Sequence, residues 1–120
     1  MFDHIGVKVK DLAASKRFYS AALAPLGYSV QHEDAAAVGL GPQGAPGLWL
    51  GKGEIRGGTH IALAARDRAS VDAFYQAALA GGGKDNGKPG IRAEYHPHYY
   101  GAFVLDPDGN NVEAVHHKRA

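Results

Sequence analysis

The sequence predicts an α+β fold: two βαβββ modules in tandem, their strands forming a curved mixed sheet around a cleft. Three observations carry this. First, an offset of 56 residues lays residues 4–27 onto 60–83 without a gap: His4-Ile5 meets His60-Ile61, Asp11 meets Asp67, Ala13 meets Ala69, Phe18-Tyr19 meets Phe74-Tyr75, the run Ala21–Ala24 meets Ala77–Ala80, and Gly27 meets Gly83. Alanine-rich helices agree by chance at a few positions, but not also at a flanking strand and a glycine, so the unit is duplicated. Second, each copy opens with a short β-branched run followed by a helical apolar period. Third, each copy then shows three further strand-like segments.

The elements follow in order. Phe2–Val9 and Thr59–Ala64 alternate in apolar character and read as strands. Asp11 and Asp67 stand at helix N-cap positions, where a carboxylate accepts the free N–H groups of the first turn. Leu12, Phe18, Tyr19, Ala22 and Leu23 recur at helical spacing, as do Val71, Phe74, Tyr75, Ala78 and Leu79. These aromatic pairs read as core packing. Pro25 closes the first helix and Gly81-Gly82-Gly83 the second. The later strands fall near Tyr28–His32, Ala35–Leu40 and Gly47–Gly51 in the first copy, with 41–46 as a turn. In the second they fall near Ile91–Tyr95, Tyr99–Leu105 and Asn111–Val115, with residues 106–110 as a hairpin turn. Gly81–Gly90, rich in glycine, reads as a mobile surface loop that could act as a lid. All 120 residues form one domain, with module one at about 1–53 and module two at about 57–117.

Composition narrows the function classes. Thirteen basic residues against twelve acidic give a net charge of +1. No basic run exceeds His116-His117-Lys118-Arg119, which reads as a solvated tail, so no nucleic-acid footprint is present. Cysteine is absent, which removes disulfides, thiolate metal sites and cysteine nucleophiles together. No apolar stretch approaches a membrane span or a signal peptide, so the cytoplasm is the expected location.

His4 and His60 take the same place in the first strand of each copy, and a pseudo-two-fold axis would bring both imidazoles together. Strand alternation sets Glu113 on the opposite face from Val112 and Ala114. Alone, Glu113 reads as a solvated carboxylate and each histidine as structural. Two histidines and one carboxylate converging with open positions suit one divalent ion: Fe, Mn, Ni or Zn.

His4-Ile5-Gly6-Val7 with Asp11-Leu12 and Phe18-Tyr19, and residues 106–113 at the other end, resemble the opening and the closing hairpin of the vicinal-oxygen-chelate superfamily. That superfamily holds glyoxalases, extradiol dioxygenases, an epimerase, thiol transferases and bleomycin-resistance proteins. The resemblance implies a metal cleft with His4, His60 and Glu113 as ligands. The remaining ligand position falls near Trp49, whose indole cannot serve, leaving a three-ligand set. Extradiol members carry an acid–base tyrosine ten residues before the glutamate ligand, where this chain has Phe103. Resistance-type binding members generally lack the ligands, and this chain keeps all three.

Glu94–Tyr100 holds two histidines and three tyrosines. It reads either as the start of a strand decorated with aromatics or as a substrate-contact strip, with His96 or His98 exchanging protons and Tyr99 facing the site. Parity from Phe103 turns Tyr100 away unless a bulge intervenes. Tyr100, Phe103 and Trp49 are the candidate substrate contacts, Trp49 reading equally as a core aromatic. The functional expectation is a metalloenzyme acting on a small oxygen-chelating substrate by lyase, isomerase, thiol-transferase or dioxygenase chemistry. The alternative is a non-catalytic resistance-type binding protein of the same fold. A homodimer is expected, because each curved sheet leaves an open face and edge.

Overall fold

A computed structural model describes residues 3–55 and 58–119. The chain runs β1 (Ile5–Val9), α1 (Leu12–Leu23), β2 (Ser29–Glu33), β3 (Ala37–Gly41), β4 (Leu48–Lys52), β5 (His60–Ala64), α2 (Arg68–Ala80), β6 (Lys84–Ile91), β7 (Tyr100–Leu105) and β8 (Asn111–His116). Asp11 caps α1 by accepting the Ala14 N–H at 3.1 Å, and Asp67 caps α2 by accepting the Ser70 N–H at 2.7 Å. A 3₁₀ turn over Ala24–Leu26, with Pro25 inside it, ends the first helix, and Gly27 at φ 88° reverses the chain.

The strands form two four-stranded mixed sheets, ordered β1-β4-β3-β2 and β5-β8-β7-β6. In each, the first strand pairs in parallel with the last, and the remaining pairs are antiparallel. Val7, Val9, Val38, Leu40, Leu48 and Leu50 bury one face of the first sheet, and Ile61, Ala102, Val104, Val112 and Ala114 one face of the second. Both faces join a single core with Phe18, Tyr19, Phe74 and Tyr75 of the helices. The two sheets therefore meet through helices and core side chains, not by strand pairing. At the junction, a Cβ on Gly83 would stand 2.5 Å from both Phe18 Cε1 and Val104 Cγ1, so only glycine lets α1 approach β7 there.

One buried polar link crosses between the modules. Tyr19 of α1 donates its hydroxyl to Asp106 Oδ2 at 2.7 Å. Asp106 also accepts the N–H groups of Asp108 and Asn110 and the Asn110 amide, which shapes the β7–β8 turn. Burial, and then Asp106, push the Tyr19 phenol well above the ordinary tyrosine range.

Two expectations are corrected. The glycine-rich stretch 81–90 is not a free loop, because most of it is β6, paired with β7 through two register shifts. Gly87, at φ 152°, supplies backbone that an L side chain rarely adopts, and the glycines mark bulges rather than a break. The strand expected at Ile91–Tyr95 has moved earlier, and residues 92–99 turn back onto themselves, with the Arg92 N–H donating to Tyr99 O at 2.8 Å. The terminal basic run, expected as a solvated tail, is exposed over His117, Lys118 and Arg119, while His116 Nδ1 lies 2.9 Å from Ala65 O and His117 pairs with His96. Of the strand expected at Phe2–Val9, Phe2 lies outside the described residues.

Candidate functional site

The open face of the second sheet gathers the chemistry. β5 presents His60 and β8 presents Glu113 on the side opposite Ile61, Val112 and Ala114. His60 Nε2 donates to Glu113 Oε1 at 2.9 Å. Tyr99 folds over from the turn before β7 and gives its hydroxyl to Glu113 Oε2. Gly101 makes room for this: a Cβ there would sit 3.1 Å from Tyr99 Cε1 and 3.4 Å from Glu113 Oε2. Glu113 is only 1% exposed, a carboxylate buried between two donors, whereas the His60 side chain is 54% exposed. Burial and then Glu113 raise the Tyr99 phenol above the ordinary tyrosine range, so it stays a hydrogen-bond donor.

Phe103 pairs in register with Glu113, its ring centroid 6.4 Å from that of His60. The Arg92 guanidinium carbon lies over the same ring, 5.3 Å from its centroid. Beyond Tyr99 stands an imidazole pair. His96 Nε2 lies 2.8 Å from His117 Nδ1, and both rings contact Tyr99 edge-on. The His98 N–H donates to His96 Nδ1. With Nδ1 accepting, a neutral His96 carries its proton on Nε2 and donates to His117. His98 is held near this pair through its backbone.

The other candidates lie elsewhere. Tyr100 is turned to α2, its hydroxyl on Asp72 Oδ1 at 2.6 Å and its ring beneath Arg68. Trp49 lies on the first sheet, paired with Gly6, its ring over Gly39 and 5.3 Å from the His32 ring. His4 precedes β1 and contacts Asp3 at 2.7 Å, its side chain 62% exposed. It borders a cleft of about 380 Å³ shared with Ile61 and Leu63, which leave β5 on the side away from His60. His4 therefore does not join His60 and Glu113 within one chain. Among the described residues no three His, Asp or Glu side chains converge on one point.

The nitrogen and carboxylate groups of His60 and Glu113 are of the type that a first-row divalent ion takes, and among the described residues no lysine or arginine pairs with the buried Glu113. They are two of the three residues expected as ligands. Arg92, His117 and the Tyr99–Glu113 contact were missing from the sequence-based picture. The 56-residue offset carries β2 onto residues 85–89, so extending the repeat past Gly83 locates β6 and, just after it, Arg92.

The profile of the Glyoxalase/Bleomycin resistance protein/Dioxygenase superfamily matches residues 1–114, and the chain belongs to that superfamily. Among solved structures, a glyoxalase/bleomycin resistance protein from Albidiferax ferrireducens T118 is 30% identical, with 98% of this chain and 99% of that one aligned at a TM-score of 0.84. A family enzyme from Burkholderia phytofirmans PsJN shares the fold at 18% identity and a TM-score of 0.76, over 97% and 98% of the two chains. A lactoylglutathione lyase from Agrobacterium tumefaciens shares it at 20% identity and a TM-score of 0.70, over 97% and 92%. A search of curated proteins finds no match.

Proposed function

We propose that this chain is a metal-dependent enzyme of the superfamily, with one divalent ion held by His60 and Glu113 of one chain and His4 of a second. The observation that carries it is the buried Glu113 carboxylate facing the His60 imidazole on the open side of the sheet. A buried carboxylate is costly unless its charge is met, and a hydrogen-bonded histidine is the arrangement that exchanges a proton for an ion. His4 holds the same place in module one as His60 in module two, yet faces away from the pair, so a homodimer is the assembly that completes the set.

When bound, the ion supplies Lewis acidity to a substrate's adjacent oxygens. The chain's own residues do the rest. Glu113 is fixed by Tyr99, which orients its free lone pairs toward His60. Phe103 gives the substrate an apolar floor and carries no proton. His96, linked to His117 and edge-on to Tyr99, is the residue placed to pass a proton between the site and solvent. These features favour isomerase, lyase or transferase chemistry on a small oxygen-chelating substrate.

The second reading is a resistance-type protein that holds a small molecule without turning it over, and the first sheet supports it: Trp49 occupies a potential ligand position. Metal analysis after purification without added metal separates the two. The enzyme reading requires stoichiometric ion in the parent and its loss in folded Glu113→Ala. An equally loaded Glu113→Ala would refute the assignment.

A further inference from the structure

Next to the His60–Glu113 pair lies a cavity of about 300 Å³ lined by Asn86, Gly87, Arg92, Glu94, Tyr95, Phe103 and Asn111. Its construction centres on Arg92. The guanidinium carbon stands 5.3 Å from the Phe103 ring centroid, and two glycines of β6 clear its path: a Cβ on Gly87 would stand 3.1 Å from Arg92 Nη2, and one on Gly90 3.2 Å from Nη1. One N–H of Nη2 donates to Lys88 O at 2.6 Å, which fixes the plane. An arginine has five N–H donors, and among the described residues no carboxylate forms an ion pair with this one. Glu94 lines the same cavity without such a pair. Asn86 and Asn111 hydrogen-bond each other across the wall at 3.2 Å.

We infer that Arg92 is the anchor for an anionic end of the substrate, so that the ligand carries a carboxylate, phosphate or phosphonate at one end and its oxygen donors at the other. This rests on the proposed reading of His60 and Glu113 for the second end only. Phe103 lies between the two, with the His60 ring centroid at 6.4 Å and the guanidinium at 5.3 Å from its ring. The middle of the ligand therefore lies on an aromatic face and is short and apolar or flat. A planar guanidinium tied to a backbone carbonyl beside an aromatic ring keeps further N–H groups to offer to two oxygens, the geometry that carboxylates and phosphates fill. A neutral ligand end would leave that charge unmet.

The test uses metal-stripped protein, which separates it from the metal assignment. Inorganic phosphate and acetate are titrated separately into the labelled chain, and amide and arginine Nε–H resonances are followed by NMR. Saturable shifts centred on Arg92, Asn86, Asn111 and Phe103 are expected. Arg92→Gln should weaken binding at least tenfold while its spectrum stays that of the folded parent, and Arg92→Lys should recover part of it. Phosphate binding tighter than acetate points to a phosphate or phosphonate end, and comparable binding to a carboxylate; both support an anionic end. Arg92→Gln binding both anions as tightly as the parent, or shifts centred on other basic residues, would overturn it. If the metal reading fails instead, stripped parent and Arg92→Gln still differ.

Discussion

Glu113 and Trp49 occupy the same position in the two halves of the molecule. Glu113 pairs with Ala62 across β5 and β8, Trp49 pairs with Gly6 across β1 and β4, and positions 62 and 6 are one repeat apart. The duplicated scaffold thus offers two equivalent seats, one holding a carboxylate and the other an indole. Because indole nitrogen is only a donor, Trp49→Phe should leave metal stoichiometry unchanged. Metal analysis of that variant checks it, and loss of the ion would give Trp49 a role that its chemistry does not explain. As the chain's single tryptophan, Trp49 also reports on its own sheet: its fluorescence should respond to a small-molecule ligand if the first sheet contacts it.

The Tyr19–Asp106 hydrogen bond joins α1 of module one to the turn of module two while fully buried. Tyr19→Phe removes the donor and leaves a buried carboxylate oxygen short of one partner. A hydrogen bond to a charged group is worth about 1.5–3 kcal/mol, so the urea midpoint should fall by that equivalent. An unchanged midpoint would mean that the turn's own N–H groups hold Asp106 without help.

Tyr99 supplies a pH dependence whose sign is fixed. Its folded pKa is raised, first by burial and then by Glu113, so the stability linked to its protonated form is fully present below the ordinary tyrosine value of about 10. It is lost as pH rises from there through the folded value. Denaturant midpoints of metal-free protein between neutral and alkaline pH should therefore decline more steeply for the parent than for Tyr99→Phe. In spectrophotometric titration, Glu113→Gln should bring the Tyr99 ionisation down. Parallel curves would place Tyr99 away from the carboxylate.

Phe103 bears on the reaction class. It pairs directly with Glu113 and offers no proton, so Fe(II)-loaded protein given catechols and oxygen should form little or no yellow ring-opened product. Rapid turnover would move ring-cleaving dioxygenation to first place and give the proton transfer to another group, with His96 the first to replace.

Much of the fold could be read from the residues because the repeat registers both modules at once. Asp11 and Asp67 cap where expected, and the apolar period of each helix faces the core. β6 was hidden because glycine and proline usually signal a break, whereas here Gly83 and Gly87 lie where side chains would strike Phe18, Val104 and Phe103. At the site, alternation alone set Glu113 and Tyr99 on one side. It could not show how the modules meet. That depends on helix packing around Phe18 and Tyr19, which join the core of both modules. The Arg92 cavity was equally hidden, since it depends on two bulges that only the paired strands reveal.

Whether one ion is shared between two chains is tested most directly by subunit complementation. His4→Ala and His60→Ala chains, each with a different affinity tag, are mixed, and the heterodimer carrying both tags is isolated for metal analysis. In the shared arrangement one site draws both damaged positions and the other draws intact His4 from one chain with intact His60 and Glu113 from its partner. Neither variant alone should hold the ion, and the heterodimer should hold one per dimer. A heterodimer as empty as the two parent variants would contradict the account and place all three ligands within a single chain.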